Sequence, residues 1–379
     1  MRFLHITNII SHHQLPLARA LASVLGERNY RFAATQPPSS ERARLGWPTS
    51  APESWVLRPG EEPQHRGLFA EWCADADVVL CGERLLDVFA ARLGRDRLTF
   101  YMSERWWKPL LGMARLLHSR YARMAARFRH LARSEWFHYL AMGGYAARDM
   151  RRLARFDGRL WQWGYFTDLP RPLPSVGERS GPLRVLWAGR MLSLKRVDTL
   201  VRAFATLRSQ NDAATLTLIG EGPCRASIVR LVERLDLDGA VDLLASMPVE
   251  EVLQQMQQAH VYVLPSNAYE GWGAVVNESM SQGCAVIASH AAGSAKAIIQ
   301  HGQNGMLFRP GDWRSLGRLL CELDEDESMR LRLAQAGQRA IAETWSPAIA
   351  AERLVAASSA LLSGEPVPRY SGGPMAQER

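Results

Sequence analysis

The sequence lacks the features that mark several common protein classes. Its five cysteines are an odd set without a Cys-x-x-Cys pair, which argues against a disulfide framework or a zinc site and predicts buried free thiols. No apolar run is as long as the about 18 residues that a membrane-spanning helix needs. His5, Thr7 and Asn8 interrupt the N-terminal stretch that is apolar in a signal peptide. We therefore expect a cytosolic protein.

Lysine is nearly absent, since only Lys108, Lys195 and Lys296 occur among the 46 cationic residues. The positive charge is also unevenly distributed. Residues 105–159 hold thirteen cations and three acids, a local net charge of +10 that exceeds the +8 of the whole chain. Each remaining lysine is informative, because a compact ammonium and a planar guanidinium are not interchangeable.

Length and hydropathy pattern predict an α/β protein with two domains. The chain has 379 residues, of which 47% are hydrophobic and 22% charged, as in globular proteins with room for two cores. Short apolar runs alternate with helical patterns, which is typical of parallel sheets. The predicted strands are 2–7, 78–81 and 98–101 in the first half, and 184–188, 215–219, 261–264 and 285–288 in the second.

Composition divides the chain into five segments. We predict a first α/β domain over residues 1–166, a linker rich in proline and glycine over 167–182, and a second α/β domain over 183–345. A last helix covers 346–363. The polar tail 364–379, rich in glycine and proline, is expected to be disordered.

Loops after the strands of the second half carry residues suited to ligand binding, because open parallel sheets bind ligands beyond the carboxyl ends of their strands. Arg190 and Lys195 lie on the loop after 184–188, where both cations can reach one polyanion. A solvated loop without a ligand is the alternative. The turn Gly220-Glu221-Gly222-Pro223 lacks the third glycine of the dinucleotide fingerprint, so taken alone it is only a turn.

Two carboxylates flank the start of a helix predicted after the third of these strands. Glu270 precedes the helix and Glu278 lies about two turns inside it, while Gly271 and Gly273 leave backbone N–H groups open to an anion. This spacing suits an elongated ligand held at two points, unless Glu278 faces solvent. With the small-residue loop at 289–294, the four loops predict a phosphate-binding rim.

These segments resemble a known family. In order, they read GRMLSLKRVDTLVRAF, LIGEGP and EGWGAVVNESMSQGCAVIASHAAGS, and they look like the nucleotide-sugar domain of family 4 glycosyltransferases of the GT-B fold. The family's E-x7-E motif corresponds to Glu270 and Glu278, and EGWG is similar to the branch that builds exopolysaccharides and lipopolysaccharides. The first half resembles that branch more weakly, through HITNIISHHQLPLARAL, YMSERWWKP and WGYF.

The resemblance implies an α/β protein of the GT-B fold, with two Rossmann-like parallel-sheet domains facing a cleft and a C-terminal helix crossing back to the first domain. It implies a retaining hexosyltransferase that moves a sugar from a nucleotide diphosphate sugar to a glycan or lipid-linked acceptor in cell-surface polysaccharide synthesis. A nucleotide-sugar epimerase of the same fold and a noncatalytic nucleotide-sugar binding protein remain as alternatives. The nucleotide sugar is a substrate here, so no cofactor is expected.

The resemblance also assigns roles to residues. Glu278 would hold the ribose hydroxyls and Glu270 the sugar hydroxyls, while Arg190 and Lys195 would neutralise the departing diphosphate. The other donor-binding residues implied are Gly189, Glu221, Gly222, Gly271, Trp272, Gly273 and Ala274. Lys296 stands where the family commonly has an acid, and an ordinary surface lysine is the simpler interpretation.

No metal is expected. The three Asp-x-Asp triplets, at 75–77, 236–238 and 324–326, do not follow a strand as a metal-diphosphate clamp does. In the first half, His13 and Glu104 each follow a predicted strand, so we interpret them as acceptor-binding residues. Ordinary polar contacts of two loops are the alternative.

The basic segment carries an apolar stripe at helical spacing, formed by Leu110, Met113, Ala114, Leu117, Tyr121, Met124, Phe128 and Leu131. Trp106 and Trp107 stand at its start, and Arg115, Arg123 and Arg129 lie on the opposite face. This pattern is typical of a helix that lies on an anionic membrane surface. A helix that packs its stripe on its own domain is the alternative, and nucleic acid is not expected because no known binding motif accompanies the charge.

Overall fold

The computed structural model describes residues 1–37, 51–108, 112–177 and 179–378. The chain forms two compact units, one made of Met1–Asp168 with Thr344–Arg379 and the other of Leu169–Glu343. Each unit is built around one parallel sheet covered by helices.

The sheet of the first unit has seven strands in the order β3-β2-β1-β4-β5-β6-β7. Its strands are β1 Phe3–Thr7, β2 Tyr30–Ala34, β3 Val56–Leu57, β4 Val78–Cys81, β5 Leu98–Ser103, β6 Phe137–Met142 and β7 Leu160–Trp163. Its helices are α1 Leu15–Leu25, α2 His65–Asp75, α3 Leu86–Leu93, α4 Ser119–Leu131, α5 Ala146–Arg151 and, after the chain returns, α13 Pro347–Ser363. Helix α13 packs against α1, so the C-terminal helix crosses back to the first unit as expected.

The sheet of the second unit has six strands in the order β10-β9-β8-β11-β12-β13. They are β8 Arg184–Ala188, β9 Thr215–Ile219, β10 Val241–Leu244, β11 Val261–Leu264, β12 Ala285–Ser289 and β13 Met306–Phe308. The helices are α6 Val197–Arg208, α7 Arg225–Arg234, α8 Val249–Gln258, α9 Val275–Ser281, α10 Gly293–Ile298, α11 Trp313–Glu325 and α12 Glu327–Glu343.

Both sheets follow the Rossmann strand order, in which the direction of winding reverses beside the first strand of each unit. Neighbours at this switch point are β1 and β4 in the first unit and β8 and β11 in the second. All seven predicted strands are present, with ends shifted by at most two residues. The predicted fold class, two Rossmann-like parallel-sheet domains, is confirmed.

The predicted linker belongs to the packing of the second unit. Val176 is buried in its core, and the Arg179 guanidinium donates to the backbone carbonyls of Gln257, Gln282 and Gly283. A planar guanidinium can satisfy several carbonyls at once, which fixes a segment that proline keeps out of regular structure. The chain therefore enters the second unit at Leu169, earlier than the expected 183.

The prediction of a disordered tail over 364–379 is wrong for its described residues. Met375 and Ala376 are buried. Their segment runs antiparallel beside β7, where Met375 and Glu378 donate backbone hydrogen bonds to Gln162 and Leu160 and Ala376 accepts one from Gln162. Edge strands leave unpaired N–H and C=O groups, and the tail satisfies those of β7.

The prediction of tryptophans facing a membrane is also wrong. Trp106 and Trp107 are only 7% and 6% exposed and belong to the core of the first unit. The Trp107 indole donates to the carbonyl of Asp149 at 3.0 Å, and the Trp106 ring contacts Phe128 at 5.0 Å between centroids. Burial of these large apolar rings contributes to the core, and the indole N–H of Trp107 keeps a hydrogen-bond partner there.

The predicted amphipathic helix is two elements. A 3-10 helix covers Gly112–Leu117 and α4 follows from Ser119. Phe128 and Leu131 of the apolar stripe are buried, as the packing alternative expects, while Met113, Leu117 and Tyr121 of the stripe are exposed. Leu110 lies outside the described residues, as does the side chain of Arg115.

The pairing of the tail with β7 predicts that it stabilises the first unit. Deleting residues 365–379 should lower its free energy of unfolding by about 2 kcal/mol, because burial of Met375 and three backbone hydrogen bonds are lost. Chemical denaturation followed by tryptophan fluorescence measures this, with the exposed Arg369→Gln as control. An unchanged denaturation midpoint in the truncated protein would contradict the prediction.

Candidate functional site

The loops that follow β8 and β11 lie side by side at the carboxyl edge of the second sheet. The two strands are neighbours, with Val261 opposite Val185 and Tyr262 opposite Leu186. Beyond the strands, the backbone N–H of Asn267 donates to the Leu194 carbonyl at 2.8 Å. The two predicted ligand loops are therefore fastened together at the switch point.

An ion pair joins the same two loops. Lys195 Nζ lies 2.7 Å from Glu270 Oε2, and the two side chains are 19% and 11% exposed. Lys195 ends the 3-10 turn Ser193–Lys195, and Arg190 is an exposed residue of the same loop. An ammonium has three donor hydrogens, so the pair leaves Lys195 able to bind an anion as well.

Close backbone packing brings the turn after β9 into this cluster. Met191 donates to the Glu221 carbonyl at 2.7 Å, and Cys224 donates to the Met191 carbonyl at 3.0 Å. A Cβ at Gly222, whose φ is +150°, would lie 2.7 Å from the Met191 carbonyl oxygen. Gly222 thus serves backbone packing, and the exposed Glu221 side chain pairs with Arg225 at 3.4 Å.

The second acid of the motif is buried. Glu278 lies in α9 and is only 8% exposed, so it does not face solvent. The loop before α9 is held by the small-residue loop after β12, where Gly293 and Ser294 donate backbone hydrogen bonds to the carbonyls of Gly271 and Trp272, each at 2.9 Å. All four predicted loops therefore form one cluster.

Two residues of the EGWG segment have structural roles that the sequence did not indicate. The Trp272 indole is buried and donates to Asn277 Oδ1 at 2.8 Å, which ties the loop to α9. Gly273 has a φ of +83°, and a Cβ there would lie 2.9 Å from the Leu264 side chain. The loop can therefore keep its path only with glycine at this position.

Tyr262 of β11 belongs to the site but was not found from the sequence. Its hydroxyl donates to the Ala188 carbonyl at 3.0 Å and lies 3.3 Å from the Ala188 N–H. Burial raises its pKa, and the charges of Glu278 and Glu270 act in the same direction. The only signal available in advance was one hydroxyl within the apolar run Val-Tyr-Val-Leu.

The two acceptor candidates lie at the carboxyl edge of the first sheet. Glu104 directly follows β5. His13 follows β1, and its ring centroid lies 5.8 Å from that of Tyr165. Both side chains are half-buried, and their assignment to an acceptor stays a prediction.

Comparison with known proteins gives a match for the second unit. Residues 173–340 match the family described as glycosyl transferases group 1. Over 152 residues the chain is 28% identical to the amylovoran biosynthesis glycosyltransferase AmsK of Erwinia amylovora. This alignment covers 39% of this chain and 37% of AmsK. The chain spans between 15 and 50% of the length of the curated relatives it matches.

Solved structures match both units. Anabaena HepE in complex with UDP superposes with a TM-score of 0.70 at 16% identity, over 96% of this chain and all of that chain. Sucrose-phosphate synthase from Thermosynechococcus elongatus gives 0.69 at 17% identity with the same coverage. The chain thus has the GT-B fold of these proteins, and within its second unit it is similar to the glycosyl transferases group 1.

Proposed function

We propose that the chain is a retaining glycosyltransferase that moves a hexosyl group from a nucleotide diphosphate sugar to a glycan or lipid-linked acceptor in cell-surface polysaccharide synthesis. The observation that carries the proposal is the Lys195–Glu270 pair at the switch point, with buried Glu278 in the helix that follows. The UDP bound to HepE supports a nucleotide donor, and the name of AmsK supports a polysaccharide product.

In this proposal the cations stabilise the leaving group. When the bond between sugar and diphosphate breaks, negative charge builds up on the diphosphate. Arg190 and Lys195 lie on one loop whose backbone is fixed by its neighbours, so they meet this charge without reorganising. The proposal assigns no metal ion, because these two cations take over the neutralisation.

The acids recognise the two ends of the donor. A carboxylate accepts hydrogen bonds from hydroxyl groups, and burial strengthens such bonds. We assign the ribose hydroxyls to Glu278 of α9, and the sugar hydroxyls to Glu270 together with backbone groups of 271–274. Glu270 also forms an ion pair with Lys195, so the residue assigned to the sugar hydroxyls contacts the residue assigned to the diphosphate.

We also propose that the first unit binds an anionic membrane surface, where a lipid-linked acceptor would lie. Among the described residues, no helix is both long and apolar enough to span a bilayer. On the first unit, however, Met113, Leu117 and Tyr121 are 42%, 91% and 36% exposed, and Arg120 and Arg123 are exposed beside them. Apolar side chains flanked by cations suit the headgroup region of anionic lipid, which would bring the enzyme to a lipid-linked acceptor.

Transfer is tested by nucleoside diphosphate release. The purified chain, given a panel of nucleotide sugars and glycan or lipid-linked acceptors, should release nucleoside diphosphate faster with acceptor present. Lys195→Ala should lower kcat by about 100-fold and affect donor affinity less, because Lys195 acts mainly on charge of the transition state. Conversion of donor without acceptor would indicate an epimerase, and binding without turnover a noncatalytic protein.

The two acids should separate in binding experiments. Glu278→Gln should weaken even the sugar-free nucleoside diphosphate by about tenfold, because the ribose contact is lost. Glu270→Gln should bind the nucleoside diphosphate at least as well as the parent, since it removes a negative charge beside Lys195, but should lose the added affinity of the sugar. Calorimetric titration of both variants with both ligands checks this, and the opposite pattern would mean that the roles are exchanged.

Membrane binding should depend on the exposed patch at residues 113–123. The protein should co-sediment with vesicles that contain anionic lipid and be released by high salt, because each basic residue contributes about 1 kcal/mol near an anionic surface. Leu117→Gln combined with Arg120→Gln and Arg123→Gln should abolish this binding, whereas Leu362→Gln, a control at another exposed leucine, should not. Undiminished binding of the triple variant would refute the assignment. Arg129 is left unchanged because its guanidinium donates to the Leu153 carbonyl.

A further inference from the structure

The strands of the second sheet part at the switch point. Backbone pairing of β8 extends along five residues with β9, but along only two with β11, and it ends at Leu186 and Tyr262. At the start of the pair, His260 donates its backbone N–H to the Arg184 carbonyl. Alternate residues of a strand face the same neighbour, so Ala188, four residues after Arg184, also turns its backbone groups toward β11.

Tyr262 takes the place of the missing strand contacts. Its hydroxyl donates to the Ala188 carbonyl at 3.0 Å and accepts from the Ala188 N–H at 3.3 Å. The tyrosine is completely buried, and a buried backbone group without a hydrogen-bond partner destabilises the fold. One phenol hydroxyl thus lets the two strands separate without leaving the N–H and C=O of Ala188 unpaired.

The residue held in this way leads directly into the loop that carries Arg190 and Lys195. Ala188 is the last residue of β8 and precedes Gly189, Arg190 and the turn that ends at Lys195. Burial raises the pKa of Tyr262, as do the nearby carboxylates of Glu278 and Glu270, so the phenol remains protonated and able to donate. The contact fixes the point from which the loop departs.

We propose that Tyr262 is a positioning residue for the donor diphosphate, acting through Ala188 on the loop that carries Arg190 and Lys195. This inference rests on the proposed function, since it assumes that the loop binds a diphosphate. Without the hydroxyl, the backbone N–H and C=O of Ala188 must bond to water or move, so the start of the loop is no longer fixed. The nucleoside part of the donor, which is assigned to Glu278, does not depend on this contact.

The test compares ligands with and without phosphate. The affinities of UDP and GDP and of their nucleosides are measured by calorimetry for the parent, Tyr262→Phe, Lys195→Met and the double variant. Tyr262→Phe should weaken the preferred nucleoside diphosphate by about tenfold and leave the nucleoside unchanged. Its effect should be smaller in the Lys195→Met background, where only Arg190 of the two cations remains to be positioned, because residues acting through one contact are not additive.

A matched control separates positioning from a general loss of packing. Tyr139 is likewise buried, with its hydroxyl bonded to Ser103 in the first unit, and Tyr139→Phe should not change nucleotide affinity. Amide hydrogen exchange without ligand should be faster in residues 189–196 of Tyr262→Phe than in the parent. A general loss of packing would instead speed exchange throughout the second unit.

Two results would overturn the proposal for Tyr262 alone. One is an unchanged diphosphate affinity in Tyr262→Phe, and the other is an equal loss for diphosphate and nucleoside that persists without Lys195. If the parent protein binds no nucleoside diphosphate at all, the proposed function falls together with this inference.

Discussion

The early end of pairing between β8 and β11 is the constraint on which the site depends. Parallel strands that remained paired to their ends would hold their loops at the spacing of the sheet and leave no crevice. Here the pairing stops at Tyr262, and the loops after the two strands are joined instead by one backbone hydrogen bond and one ion pair. The separation of the two strands and the contacts that join their loops thus arise at the same point of the sheet.

The ion pair illustrates a balance between stability and function. Lys195 and Glu270 are mostly shielded from water, and removing two charges from water costs about as much as their attraction returns. Such a pair is therefore weak evidence for stability. In the proposed function, the pair holds a cation and a carboxylate in place before the donor arrives, so that less has to be ordered on binding.

Many arginines serve the interior of the protein. The Arg92 guanidinium is buried and donates to the carbonyls of Cys73, Ala76 and Leu98, and burial lowers its pKa to about 10. Arg159 and Arg179 bind backbone carbonyls in the same way. Within the basic segment, Arg129 and Arg159 donate to backbone carbonyls, so the net charge of that segment overstates what is available to a partner. Exposed cations such as Arg120 and Arg123 contribute to the patch at 113–123.

The sequence by itself determined the fold class, the strands at and beside the two switch points, and the loops that carry the candidate site, but it missed the interior strands β2 and β6. Central strands such as β8 and β11 are buried on both faces, so they appear as continuous apolar runs. Edge strands are harder to recognise. In β10, for example, Asp242 interrupts the run because one side of that strand faces solvent, and β13 has only three residues.

Only the tertiary structure decided what each apolar or charged residue contacts. Periodicity reports that a side chain will be buried, but not against which partner. It could not distinguish Trp106 in a core from Trp106 in a membrane, nor show that the tail covers β7. The bonds of Tyr262 to Ala188 and of Lys195 to Glu270 join residues 74 and 75 positions apart, and these contacts exist because the fold brings the ends of two parallel strands together.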